Sequence, residues 1–241
     1  MKLFVVVPTF NEKDNVERLV TGLMALNPRP QVLYVDDSSP DGTADEVERW
    51  GKTFPEVRVL RRLGKGGRGS ACMAGFQRCF EQGLADDDVV IEMDADMSHN
   101  PSQIPSFLSS IEAGADLVVG SRYLPGGRIE NWPLARTVLS IWANRFAKVV
   151  LGMPLTDYTT GFRAYRGSTL RKLNFSQIHA RGYIVLTEMA YQIHLAGGRL
   201  AEVPIVFVNR TRGESNLSLG EVVSAFTNVI RLRFDRFRHP S

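Results

Sequence analysis

Val89-Val90-Ile91-Glu92-Met93-Asp94-Ala95-Asp96 is the stretch that decides the fold: an apolar run that stops on two carboxylates one residue apart. Four comparable β-branched runs, Leu3–Val7, Gln31–Val35, Val57–Leu60 and Leu117–Gly120, join Val89–Met93. Near-continuous apolar runs suit parallel strands covered on both faces. Helix-like stretches lie between them. Val16, Leu19, Val20, Leu23 and Leu26 fall on one helical face, and Thr43 is placed to cap a second helix with Asp45 and Glu46 in its first turn. Alternation of this kind predicts a doubly wound, mostly parallel α/β sheet flanked by helices. Ligands of such sheets bind beyond the carboxyl ends of the strands, so the residues after each run carry the functional information.

The pattern changes near residue 125, where Pro125-Gly126-Gly127 interrupts the chain. An amphipathic stretch from Leu134 to Leu151 follows, then a polar turn at Asp157–Gly161. A helix is expected over Tyr183–Leu195, a strand over Leu200–Val208 and a last amphipathic helix over Gly220–Phe237. We read one domain over 1–241, with a ligand-binding half at 1–125 and a second half at 126–241.

The bulk composition excludes several classes. With 44% hydrophobic and 23% charged residues, the chain is neither disordered nor fibrous. No run approaches the ~20 apolar residues of a membrane span, so a soluble or membrane-surface protein is expected. Cys72 and Cys79, on one helix, would stand about 10 Å apart along its axis, too far for a disulfide. The formal charge of +3 resides in the stretch Arg210–Ser241, where six arginines face Glu214, Glu221 and Asp235. Such a tail reads either as a solvated helix face or as attraction to anionic lipid or phosphate.

Strand ends carry the chemistry. After the first run comes Pro8-Thr9-Phe10-Asn11-Glu12, without the glycine pattern of a dinucleotide fold. Asp36-Asp37-Ser38-Ser39-Pro40-Asp41-Gly42 follows the second; one aspartate can organise the turn, the other bind a base, ribose or metal. Gly64-Lys65-Gly66-Gly67-Arg68-Gly69-Ser70 resembles a phosphate loop but has Ser70 where the Walker pattern requires Lys, leaving its amides and Lys65 as anion contacts. Asp94 and Asp96 leave their strand pointing the same way and would repel each other unpaired. A divalent cation bridging ligand phosphates resolves that, and a neutralising Arg or Lys is the structural alternative. His99 reads as polar surface more readily than as a ligand.

These motifs, with Gly120-Ser121-Arg122-Tyr123, Asn131-Trp132-Pro133-Leu134-Ala135-Arg136, Asp157-Tyr158-Thr159-Thr160-Gly161-Phe162-Arg163 and Gly182-Tyr183 with Glu188-Met189, resemble inverting family 2 glycosyltransferases of the GT-A (Rossmann-like) fold. Within that family they are similar to the dolichol-phosphate (polyprenol-phosphate) mannose synthases, in order and over nearly the whole chain. The resemblance implies mannose transfer from GDP-mannose to a polyprenyl or dolichyl monophosphate. It implies a nucleotide-sugar pocket of Pro8, Phe10, Glu12, Val35, Asp37, Asp94, Ala95, Asp96 and Arg122, closed by Val208, Arg210 and Asn216. It implies Mg2+ or Mn2+ on Asp94, Asp96 and Ser98, an acceptor phosphate on Arg122, Arg136 and Ser140, and Asp96, Arg122 and Arg136 as the catalytic set. Three positions depart from the family pattern: Asn216 replaces the Lys of a Ser-Lys-Leu loop, leaving Arg212 to supply the charge, and Trp142 and Thr160 each replace a usual Gly.

An anionic acceptor needs cations rather than a tuned base; a sugar hydroxyl would instead need a carboxylate, with Asp157 and Glu188 as candidates. Leu134–Leu151 interleaves Val138, Leu139, Ile141, Trp142, Phe146, Val149 and Val150 with Arg136, Arg145 and Lys148, which suits either a helix in the bilayer interface or one packed on the core. The expected location is peripheral, on the cytoplasmic face of a membrane, with any separate anchoring partner left open. Two alternatives remain: transfer from UDP-glucose or another nucleotide sugar to a lipid phosphate or glycan, and a non-catalytic basic module for membrane or nucleic acid. The second is disfavoured because two carboxylate clusters would repel a polyanion, so no nucleic-acid partner is expected.

Overall fold

Each of the five apolar runs forms a strand. The computed structural model describes residues 1–64, 66–175, 178, 184–209 and 219–235, with the side chains of the last segment described from 226 to 234. Strands β1 (Leu3–Thr9), β2 (Gln31–Asp36), β3 (Val57–Arg61) and β4 (Val89–Glu92) pair in parallel in the order β3-β2-β1-β4. Helices α1 (Lys13–Met24), α2 (Thr43–Thr53) and α3 (Arg68–Glu81) connect them. Alternate side chains of β1 enter opposite cores: Val5 and Val7 meet Val16, Leu19 and Leu23, whereas Phe4 and Val6 meet Phe76 and Cys72. Burying a Val or Leu stabilises by about 1.5–3 kcal/mol, so both faces of this strand resist substitution. Gly75 lets α3 lie directly on β1, since a Cβ there would come within 2.3 Å of Val6 Cγ1.

Beyond β4 the sheet departs from simple alternation. Helix α4 (Ile104–Glu112) leads into β5 (Leu117–Ser121), but β5 does not pair with β4. Strand β7 (Arg163–Arg166) lies between them, antiparallel to both, and β8 (Leu200–Pro204) runs parallel to β5 at the edge. One seven-stranded sheet thus takes strands from both sides of residue 125. Because β4 and β5 are each antiparallel to β7, their carboxyl ends share one edge.

The expected strand Leu200–Val208 is instead two strands. β8 stops at Pro204, which has no N–H to donate. Ile205 then donates to Ser121 O and accepts from Arg128 N, so β9 (Val206–Val208) pairs with β6 (Arg128–Glu130) in a separate ribbon. Thr43 does not cap α2 either. The cap position is Gly42 at φ 84°, and the Thr43 hydroxyl accepts from Glu12 N–H and bonds Asp41. Helix α5 (Leu134–Leu151) has the bounds read from the sequence and packs on α8 (Leu219–Asp235), which also meets α7 (Ile184–Leu195). Tyr183 and Phe237, the expected ends of two helices, lie outside the described residues. A short α6 (Gly167–Lys172) completes the fold. Among the described residues no helix is long and apolar enough to cross a membrane.

Candidate active site

The carboxyl ends of β1, β2 and β4 enclose a crevice lined by Pro8, Phe10 and Glu12 on one side and Asp37, Arg68, Asp94, Ala95 and Asp96 on the other. The two adjacent aspartates of β2 divide their work. Asp36 is buried and accepts from Ser39 N (2.9 Å) and Ser39 Oγ (2.5 Å), which fixes the turn. Asp37 faces the crevice. Its Oδ1 meets Arg62 Nη1 at 2.6 Å, and its Oδ2 accepts from the amides of Gly66 and Gly67, both at 3.0 Å. These two glycine amides of the phosphate-like loop are therefore turned to the protein's own carboxylate rather than to an external anion. Lys65 lies outside the described residues. A larger cavity of about 420 Å³ opens at the opposite edge of the sheet, beside Lys2, Arg29 and Arg58, with no carboxylate in its lining.

Asp94 and Asp96 follow β4 on a tight turn in which Met97 takes φ 62°. That turn folds Ser98 back, so that its N–H (3.0 Å) and its hydroxyl (2.5 Å) both donate to Asp96 Oδ1. Asp94 Oδ1 accepts from Arg68 Nε at 2.8 Å. His99 is buried, not polar surface, because its Nδ1 accepts the backbone N–H of Asp94 at 3.0 Å and its ring stacks on Phe162. An accepting Nδ1 belongs to a neutral ring protonated at Nε2. Burial, partly offset by Asp94 and Asp96, holds this ring below the usual imidazole pKa. His99 thus braces the Asp94 backbone. Two carboxylates beside a hydroxyl are hard oxygen donors that suit Mg2+ or Mn2+. No three acidic, His or Cys side chains converge into a cage among the described residues. An ion held here would need further oxygens from a bound phosphate or water.

The second half of the site is cationic. Arg122, just after β5, is buried and pairs twice with Asp157, Nε to Oδ2 at 2.6 Å and Nη2 to Oδ1 at 2.8 Å. Asp157 also accepts backbone amides from Arg122, Thr159 and Thr160. Burial alone would raise its pKa, but Arg122 and those amides outweigh it and hold the carboxyl below its usual value. That makes Asp157 a poor proton acceptor. Glu188, the other candidate base, is buried on α7. The Arg122 guanidinium lies 5.2 Å from the Trp132 ring and 5.4 Å from Phe207, and Arg136 lies 4.0 Å over the same Trp132 ring. Tyr123 donates to Ser140 Oγ at 2.6 Å beside them.

A continuous set of contacts joins the two halves. Phe207 touches the His99 ring (5.7 Å) and the Trp132 ring (5.6 Å), so β9 bridges the brace of Asp94 to the arginine pair. Of the residues read from sequence, Pro8, Phe10, Glu12, Asp37, Asp94, Ala95 and Asp96 meet in the crevice, and Arg122, Arg136 and Ser140 meet around Trp132 and Tyr123. Val35 is fully buried in the core below the crevice, and Val208 lies on β9, outside its lining. Arg210 and Asn216 lie outside the described residues, as does Arg212. Arg62 and Arg68 enter the site as well, through Asp37 and Asp94. The signal for Arg68 was Glu92, a carboxylate inside an apolar strand, which demands a cation.

The profile described as "Glycosyl transferase family 2" matches residues 4–173. The chain is 42% identical to an undecaprenyl-phosphate mannosyltransferase of Micrococcus luteus, covering 96% of this chain and 93% of that protein. It is 38% identical to a polyprenol monophosphomannose synthase of Mycolicibacterium smegmatis, covering 98% and 90% respectively. It is 33% identical to a dolichol-phosphate mannosyltransferase of Pyrococcus furiosus, covering 96% of this chain and 64% of that one. Among solved structures, glucosyl-3-phosphoglycerate synthase of Mycobacterium tuberculosis, in complex with Mn2+, UDP-glucose and phosphoglyceric acid, superposes with a TM-score of 0.67 at 20% identity. It covers all of this chain and 81% of its own, and at that identity it shows the shared GT-A-like fold alone.

Proposed function

The chain belongs to glycosyl transferase family 2 and is a glycosyltransferase, and from that premise we propose that it moves mannose from GDP-mannose to a polyprenyl or dolichyl monophosphate with inversion. The observation that carries this reading is the contact path from Asp94 through His99 and Phe207 to Arg122, Trp132 and Arg136. It supports reading the acidic pair Asp94 and Asp96 and the cationic pair Arg122 and Arg136 as the two phosphate-handling sides of one site. The names of the three relatives support a lipid-phosphate acceptor and mannose as the transferred sugar.

In the reaction, an acceptor phosphate oxygen forms a bond to the anomeric carbon, on the face opposite the diphosphate. The bond from that carbon to the diphosphate oxygen breaks, and its electron pair leaves on GDP. The nucleophile is already an anion, so no proton need be removed, which agrees with a cationic side whose carboxylate, Asp157, is committed to Arg122. Arg136 and the Ser140 hydroxyl orient the acceptor phosphate, and Asp157 holds Arg122 in place beside it. Asp37 and Glu12 take the nucleoside, with Pro8 and Phe10 flanking it. Asp94 and Asp96, with Ser98 beside them, would hold Mg2+ or Mn2+, which offsets charge on the leaving diphosphate.

The lipid reaches the site at a membrane surface. Leu134, Val138, Leu139, Trp142 and Val149 are exposed along α5, with Val149 85% and Trp142 64% accessible, and Arg145 and Lys148 stand among them. Ile230 and Phe234 are also exposed, on α8, which packs on α5. A helix of this character lies in the interface with its cations at headgroup level. We place the enzyme on the cytoplasmic face, where nucleotide sugars are supplied. The test is a panel of nucleotide sugars against one polyprenyl phosphate in the presence of Mn2+ or Mg2+. Transfer from GDP-mannose is expected; transfer from UDP-glucose in its place would overturn the donor assignment.

A further inference from the structure

Arg68, the first residue of α3, lines the crevice beside Asp94. Its Nε donates to Asp94 Oδ1 at 2.8 Å, its Nη1 to Glu92 Oε1 at 2.6 Å and its Nη2 to Gly161 O at 3.2 Å. Glu92 is fully buried two residues before Asp94. Its other contacts, Tyr165 OH (3.1 Å) and Cys72 Sγ (3.0 Å), are neutral. A buried carboxylate without a cation is costly, so Glu92 anchors the guanidinium. The same guanidinium covers one oxygen of Asp94. Gly161 leaves room for it: a Cβ there would stand 2.1 Å from Arg68 Nη2. Glu92, Arg68 and Gly161 thus form one device that presents a protein cation to the first aspartate of the pair.

We propose that Arg68 is a resident cation of the diphosphate site, which holds Asp94 until the donor arrives and then exchanges Asp94 for a diphosphate oxygen, making divalent metal binding contingent on the nucleotide. This rests on the reading of Asp94 and Asp96 as the metal-holding pair. A divalent ion approaching the nucleotide-free site meets a fixed positive charge and a carboxylate already engaged. The diphosphate brings acceptor oxygens that take over the guanidinium and add negative charge for the ion. Linkage makes this reciprocal: the nucleotide tightens the metal by the factor with which the metal tightens the nucleotide.

The test is a Mn2+ titration of the full chain, followed by the electron paramagnetic resonance signal of free Mn2+, with and without GDP. Arg68→Leu combined with Glu92→Val removes the buried pair together and leaves no orphaned charge. Gly161→Ala keeps Arg68 but displaces it, as an independent variant. Both are expected to tighten nucleotide-free Mn2+ binding by about tenfold and to shrink the GDP enhancement correspondingly. Arg68→Lys, which keeps the charge on one nitrogen but loses the fork that joins Glu92, Asp94 and Gly161, should fall between the wild type and the double variant. Unchanged nucleotide-free affinity in both variants, with GDP still promoting Mn2+ binding to the wild type, would overturn the role of Arg68 and leave the metal reading standing. Absence of Mn2+ binding to any of the proteins with GDP present would remove the metal reading and this proposal with it.

Discussion

Among the arginine–carboxylate pairs of the site, Arg122–Asp157 and Arg68–Asp94 differ in how deeply they are set. At Arg122 and Asp157 the side chains are 5% and 0% exposed, and three backbone amides add to the carboxylate's partners. At Arg68 and Asp94 they are 13% and 21% exposed, on the wall of an open crevice. The deep pair has no solvent to replace a lost partner, so its geometry is fixed. The shallow pair can exchange partners at small cost. In the proposed reaction the first kind of pair is the one that positions a substrate phosphate, and the second the one that admits metal and diphosphate.

Breaking the deep pair is expected to have the largest effect. Asp157→Ala leaves a buried guanidinium uncompensated and should lower unfolding free energy by about 3–5 kcal/mol in denaturant titration. Asp94→Ala should cost far less stability, and equal losses would erase the distinction between the pairs. Next comes Asp96→Ala, expected to reduce transfer by roughly 10²–10³-fold while the protein stays folded. Retained activity would remove the metal role. Arg136→Ala should raise the acceptor KM by about tenfold, the loss of one charge-assisted contact, with the donor KM little changed. An unaltered acceptor KM and rate would refute that contact.

Smaller effects sharpen the comparison further. The carboxyl of Asp157 titrates below its ordinary 3.8 in the folded protein. Its contribution to stability is therefore complete above that value and is lost as pH falls through the folded pKa. Asp157→Asn should flatten this part of the acid limb in a stability–pH profile; an unchanged limb would show that other groups dominate it. Trp142→Glu should weaken flotation with anionic vesicles without changing the fold, because its ring is 64% exposed. Undiminished flotation would move the membrane surface elsewhere.

What the sequence made legible was local. Asp94 and Asp96 close an apolar strand, Asp36 and Asp37 close another, and the apolar spacing of Leu134–Leu151 marks the helix to its ends. What it concealed was long-range. Arg163-Ala164-Tyr165-Arg166 reads as polar, yet it is the strand between β4 and β5, because the buried Arg163 guanidinium is satisfied by Thr160 O, Tyr158 O and Leu186 O. No spacing rule announces the Leu186 carbonyl, supplied from 23 residues away. The break at Pro204 depended on Ile205 finding partners in two strands, and His99 read as surface because its partner is a backbone amide. Val35 belongs to the core below the crevice: both faces of β2 are covered, and its side chain packs in the cluster of Val6 and Phe76.

The proposed reaction differs from transfer to a hydroxyl in that its acceptor is already an anion. The most direct measurement supplies labelled GDP-mannose with either a polyprenyl phosphate or the corresponding free polyprenol and counts label in the organic phase. Label is expected with the phosphate and not with the alcohol. Comparable labelling of the alcohol would contradict the proposed reaction, because transfer to the alcohol needs a base to take its proton and Asp157 is held away from the role by Arg122.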